Sequence, residues 1–216
     1  MRWAAWIAGL LCCLCGCAPM VQERVRDYSE DGVYLFNRGD YANARESFQA
    51  ALALQPNDPA LLYNVGRCYE RQGDFAKAQR QYQVCLERNP DHVECRHALA
   101  ALMVRDGRGA EATRMVKGWL ASSPKLAAAH AEDGWLWFQA GDLPRAQARL
   151  QEALELDLHD TRALLELAHV YEALQRPDRA YVLYERLLEQ DPHRPEVVDR
   201  LNRLRAQGAG RPRPDD

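Results

Sequence analysis

Apolar side chains in this chain recur at spacings of three and four, the mark of one buried helix face. Over residues 59–72 the apolar and small positions are Leu62, Val65, Gly66 and Tyr69. Gly73-Asp74 breaks that run, and Phe75, Ala78, Tyr82, Cys85 and Leu86 then mark a second helix face. Asn89-Pro90 closes the second helix, because proline pushes the residue before it out of helical geometry. Each helix of about 13 residues spans about 20 Å. Neither buries its stripe alone, so the pattern predicts helix pairs stacked around a shared core.

The same unit returns at a fixed step. "GDYANARESF" begins at Gly39, "GDFAKAQRQY" at Gly73 and "GDLPRAQARL" at Gly141. The period of 34 places a weaker copy at Gly107, "GRGAEATRMV", and a last one at Gln175, "QRPDRAYVLY". Five blocks follow: 25–58, 59–92, 93–126, 127–160 and 161–194. Gly32, Gly66 and Gly134 hold the eighth position, with Ala100 and Ala168 in the other two blocks. Ala44, Ala78, Ala112, Ala146 and Ala180 hold the twentieth. Small residues at both places let paired helices approach closely, and a leucine at Ala78 should overpack the pair by about 1–3 kcal/mol.

These residues resemble the tetratricopeptide (TPR) repeat: a large residue, Leu-Gly, Tyr, Ala, an aromatic and Pro at a period of 34. Block two carries Leu62, Val65, Gly66, Tyr69, Ala78, Tyr82 and Pro90. Block four has Leu158 where Pro is usual, and Gln175 replaces the turn glycine of block five. Block three departs most, with Met103, Val116 and Trp119 in place of Tyr, the aromatic and Ala. Any bend or opening of the array is expected there. The resemblance implies an all-α superhelical solenoid of five helix-turn-helix repeats over 25–194. A capping helix is expected over 195–207, with Val198, Leu201 and Leu204 inward, and a disordered tail over 208–216.

The resemblance also implies where a partner docks. First helices line the concave face of such arrays and present positions 2, 5, 9, 12 and 13 of each repeat. In this chain those positions include Phe36, Tyr63, Arg67, Arg71, His97, Arg105, Trp135, Phe138 and Gln139. The partner-binding candidates are Tyr63, Arg67, Arg71, His97, Arg105, Trp135, Phe138 and Gln139. Aromatics would anchor a bound peptide or helix and arginines its carboxylates. The carboxylate clamp of chaperone-binding TPR domains is absent: the second block does have Asn64, but the first offers Ser29 and Val33 and the third Glu94 and Ala98.

The first residues read as an address. "MRWAAWIAGLLCCLCGCAPM" has a basic start and then an uncharged run. Leu14-Cys15-Gly16-Cys17 resembles a bacterial lipobox, although Cys at −2 departs from the usual residue there. That implies a signal peptide over 1–16, lipidation of Cys17 and a tether over 17–24. Ala18 rather than Asp implies the outer membrane, facing the periplasm. An uncleaved anchor and an ordinary cleaved signal remain the alternatives, and all three export the body.

Net charge is −3 and the basic residues are scattered, which excludes nucleic acid as the main partner. No phosphate loop, His-Glu-x-x-His or nucleophile elbow is present, so no catalytic residue, small-molecule substrate or cofactor is expected. His92, Cys95 and His97 resemble metal ligands only in sequence, since Cys95 and His97 point about 200° apart on a helix. No metal site is expected. Cys68, Cys85 and Cys95 fall on core positions and are expected as free thiols, with pairing of Cys85 and Cys95 the alternative. The expected role is a non-catalytic envelope scaffold in pilus or secretion-system assembly. A regulator of peptidoglycan enzymes and a self-associating solenoid are the alternatives.

Overall fold

The computed structural model of the protein describes the backbone of residues 4–210 and the side chains of residues 19–210. Eleven helices and no strand occur among the described residues. They are α1 (Ala4–Asn37), α2 (Tyr41–Leu54), α3 (Pro59–Arg71), α4 (Phe75–Arg88), α5 (Val93–Arg105) and α6 (Gly109–Ser122). They continue as α7 (Ala127–Gln139), α8 (Leu143–Leu156), α9 (Thr161–Ala173), α10 (Pro177–Gln190) and α11 (Pro195–Ala206). The all-α repeat architecture expected from the sequence is the one observed.

Local chemistry explains the boundaries. Asp40, Asp74 and Asp142 stand before α2, α4 and α8, and each carboxylate accepts from the backbone N–H three residues on. Asp58 and Asp160 do the same before α3 and α9. Such caps are typically worth about 1 kcal/mol each. Gly39, Gly73, Gly107 and Gly141 end the preceding helices at φ between 74° and 84°, where a side chain would be strained. Gln175 takes the same left-handed role at φ 57° without being glycine.

The chain divides into two compact units, Met1–Leu102 and Met103–Asp216, and the division falls inside α5, in block three. In the first unit α1 packs on α2, α2 on α3, and α3 on α4. Its core includes Val25, Ala44, Phe48, Ala51, Leu61, Val65 and Cys68. In the second unit α7 packs on α8 and α9, α8 on α9, α9 on α10, and α10 on α11. Leu150, Leu164, Leu167, Tyr184 and Leu187 fill its core.

Close approach within each pair rests on the small residues. All five alanines at the twentieth position are fully buried. A Cβ on Gly32 would stand 2.7 Å from Phe48, and one on Gly134 would stand 2.6 Å from Leu150. At Gly66 it would run into the Tyr82 ring, which is fully buried and donates its hydroxyl to Glu70 at 2.7 Å. The fifth repeat shows the alternative solution, with Ala168 in place of glycine and Tyr184 donating to Glu172 at 2.6 Å. Gly66→Ala is therefore expected to cost about 1–3 kcal/mol, the overpacking penalty exceeding the gain in helix propensity. A urea melt followed by circular dichroism reads this directly, and an unchanged midpoint would show that α3 and α4 can separate freely.

Several expectations are corrected. Phe75 is 39% exposed at the start of α4 instead of facing the core. On α11 Val197, with Leu201 and Leu204, turns inward, while Val198 is only half-buried. The stripe thus runs at i, i+4 and i+7. Gly208 carries φ 87°, Ala209 is buried in the core, and the Gly210 N–H donates to Asp178 at 3.0 Å. The tail expected from residue 208 is held in place through residue 210, and 211–216 lie outside the described residues. Residues 4–24 of the segment expected as signal and tether lie in α1, which runs unbroken through Pro19. The Cys17 side chain lies outside the described residues. No helix among the described residues is long and apolar enough to cross a membrane.

Candidate functional site

In the first unit, α1, α2 and α3 bring three aromatic rings and two guanidinium groups into one ladder. Arg67 stacks over Phe36 at 4.3 Å and over Tyr63 at 5.7 Å. Arg71 stacks over Tyr41 at 4.7 Å and Phe36 at 5.8 Å, and donates to the Tyr41 hydroxyl. Phe36 meets Tyr41 edge to face at 5.2 Å. Arg67 and Arg71 are four residues apart on α3 and so share a face. Their planes are held by the rings while guanidinium N–H groups in the plane can still reach a carboxylate or a peptide carbonyl. Val33 lies three residues before Phe36 on α1 and is 47% exposed. A basic, aromatic surface with an apolar edge results.

The eight candidates taken from the sequence divide between the two units. Tyr63, Arg67 and Arg71 come together in the ladder. Tyr63 also faces Tyr82 and His92, each ring 5.9 Å away. His97 is half-buried on α5 of the same unit. Arg105, Trp135, Phe138 and Gln139 belong to the second unit. There Arg105 is engaged by the Asp106 carboxylate at 2.9 Å. Trp135 is 8% exposed, so its ring is packed in the structure, not presented as an open anchor. Phe138 packs against the second unit's core, and Gln139 is exposed. Tyr41 was missed by the sequence reading, because it sits at the start of a second helix, outside the positions the resemblance marks.

The second unit carries a separate feature. Leu154, Leu158, Leu167, Tyr171, Val182 and Leu183 line a hollow of about 550 Å³ among α8, α9 and α10. Leu158 is 63% exposed at its edge, and Arg186 donates to the Leu158 carbonyl at 2.5 Å. The replacement of proline by Leu158 was the sequence signal for it. On α7 of the same unit, Glu132 and Asp133 are buried. Burial pushes the Asp133 carboxyl above its usual range, opposed by the Arg149 guanidinium at 3.1 Å.

The cysteines also correct the sequence reading. Cys85 and Cys95 form a disulfide, with Cα atoms 6.5 Å apart, instead of standing as free thiols. It joins the end of α4 to α5 across one turn. Closing a loop of about ten residues contributes about 3 kcal/mol in the chain-entropy account. Cys68 is the free cysteine among the residues whose side chains are described, and burial pushes its thiol up to about 11, which leaves it unreactive at neutral pH.

Family models of the tetratricopeptide repeat match residues 32–92, and again 70–132 and 138–208. One curated relative, outer dynein arm-docking complex subunit 4 of Danio rerio, is 50% identical over 42 residues. That match spans 19% of this chain and 9% of the relative's length. Among solved structures, TTC0263, a thermophilic TPR protein of Thermus thermophilus, superposes with a TM-score of 0.67 at 24% identity, covering 84% of this chain and 99% of its own. Pseudomonas aeruginosa pilF gives a TM-score of 0.56 at 15% identity, covering 87% and 86%. These superpositions speak to the fold. With the 34-residue period, the glycine-ended first helices and the buried alanines, the family-model matches place this chain in the tetratricopeptide repeat family.

Proposed function

We propose that this chain is a non-catalytic, membrane-tethered adaptor that holds a peptide segment or helix of another envelope protein against the α1–α3 face. Tetratricopeptide repeats are in general protein-binding scaffolds, and the observation that carries the reading here is the Arg67–Phe36–Arg71 ladder. Stacked guanidinium groups suit a ligand bearing carboxylates, with aromatic and aliphatic surface beside them for its apolar side chains. The tether is supported by Leu14-Cys15-Gly16-Cys17, with Cys17 as the acylated residue. One acyl chain binds a bilayer marginally and several hold stably, so diacylation with N-acylation gives lasting attachment. Ala18 favours the outer membrane, facing the periplasm.

A place in pilus or secretion-channel assembly is the sharper form of this proposal, supported by the combination of lipid anchor and short repeat array. The peptidoglycan-enzyme regulator and the self-associating solenoid stand as its alternatives.

The test is crosslinking in cells with the full-length chain, run beside Cys17→Ser, followed by mass spectrometry of captured proteins. One dominant envelope partner, and loss of membrane fractionation in Cys17→Ser, are the expected results. A secretin or pilin partner supports the assembly reading, and a wall hydrolase the regulatory one. Capture of the chain by itself alone would replace the adaptor with a structural role.

A further inference from the structure

We propose that Cys85, His92 and Cys95 form a zinc site when the Cys85–Cys95 disulfide is reduced, so that the turn between α4 and α5 exchanges a covalent staple for a metal one. One ligand atom from each of the three residues lies within 4.8 Å of the other two. A tetrahedral zinc with sulfur at about 2.3 Å and nitrogen at about 2.0–2.1 Å sets its ligand atoms about 3.3–3.8 Å apart. Once the sulfur–sulfur bond opens, the sulfurs must part and the imidazole close in to reach that spacing. Two thiolates and an imidazole are a donor set that zinc favours, with a fourth position left for water or a carboxylate.

The surroundings fit a cation. The His92 side chain is 13% exposed, beside sulfurs that are themselves fully buried. Its Nδ1 accepts from the Cys95 N–H at 3.3 Å. The same Nδ1 lies 3.2 Å from a Glu94 carboxylate oxygen. The Cys85 sulfur lies 3.4 Å from the Pro59 carbonyl, which would accept from the Cys85 thiol once reduced.

The exchange balances with a dithiol as reductant. Two electrons pass from the dithiol into the Cys85–Cys95 bond, which breaks, and the dithiol closes to its own disulfide. Its two protons end on Cys85 and Cys95. Zinc binding then displaces both protons to solvent as the thiolates ligate. Disulfide and metal exclude one another, so zinc uptake reports the redox state of the turn.

The test uses the full-length chain in detergent with Cys12, Cys13, Cys15 and Cys17 changed to Ser and Cys68 to Ala, which leaves one cysteine pair. It is reduced with dithiothreitol, desalted without oxygen and titrated with zinc against a chromophoric chelator. Cobalt serves as a spectroscopic stand-in. The reduced chain should bind one zinc and show a thiolate-to-cobalt charge-transfer band. The oxidised chain should bind roughly 100-fold more weakly or not at all, since no thiolate is available. His92→Ala keeps the disulfide, and its zinc affinity should fall by roughly 10-fold or more in the reduced state. Absence of the charge-transfer band in the reduced chain, or zinc affinity unchanged by His92→Ala, would overturn the proposal. Circular dichroism of each reduced sample shows that the helices persist, so a missing band cannot be laid to unfolding.

Discussion

Replacing Trp135 with alanine is expected to destabilise the second unit by about 3–5 kcal/mol, the range for removing a buried large side chain. The indole is 8% exposed on a helix that is buried at every position from Ala127 to Leu136 except His130. Ala127, Ala128, Ala129 and Ala131 supply little volume on that helix. The indole is therefore a large share of its buried apolar mass, beside Leu136, Trp137 and Phe138. A urea transition followed by circular dichroism reads the loss as a shifted midpoint. Gln139→Ala, on the exposed end of the same helix, should move it by less than about 0.5 kcal/mol. If Trp135→Ala leaves the midpoint unchanged and removes partner capture instead, the ring is a binding anchor and the packing account fails.

Changing Arg67 and Arg71 together to glutamate is expected to weaken partner capture by about two orders of magnitude or more, because two central arginines of a binding face are replaced by like charges. The fold should survive. Arg71 is exposed and Arg67 half-buried, and each exposed stacking contact is worth only about 0.5–1 kcal/mol. The Arg67→Lys, Arg71→Lys pair separates charge from shape. Lysine keeps the positive charge but loses the flat fork that lies on Phe36, so capture should fall to an intermediate level. The reading is the fraction of crosslinked partner retained at matched melting midpoints. Full capture by the glutamate pair would remove the α1–α3 face from consideration.

The repeat was legible because its determinants are local. The glycine at φ 79° after α3, the buried Ala78 and the Pro90 that follows α4 each act within a few residues, and the period multiplies them. Phe75 and Val198 were misplaced because a periodic stripe fixes a helix face only to within about one residue, and packing decides the edge of the stripe. The ladder was half legible. Arg67, Arg71 and Tyr63 follow from repeat positions, but Tyr41 joins them only through the turn that swings α2 beside α3. Trp135 fell on a marked position yet is buried, since sequence spacing cannot tell a ring that faces a groove from one that is covered. The disulfide depends on how closely α4 and α5 approach, which a spacing of ten residues leaves open.

The Cys85–Cys95 bond also has a mechanical consequence. A repeat array pulled at its ends carries load, and helical repeats yield to load by peeling away one at a time. Were the first unit pulled from its start, α1 to α3 and most of α4 would lengthen freely, but the chain between residues 85 and 95 would not. About 30 Å of extension stays locked behind the bond, the difference between an extended ten-residue segment and its present span. In single-molecule stretching that length should appear only after reduction, as one added step.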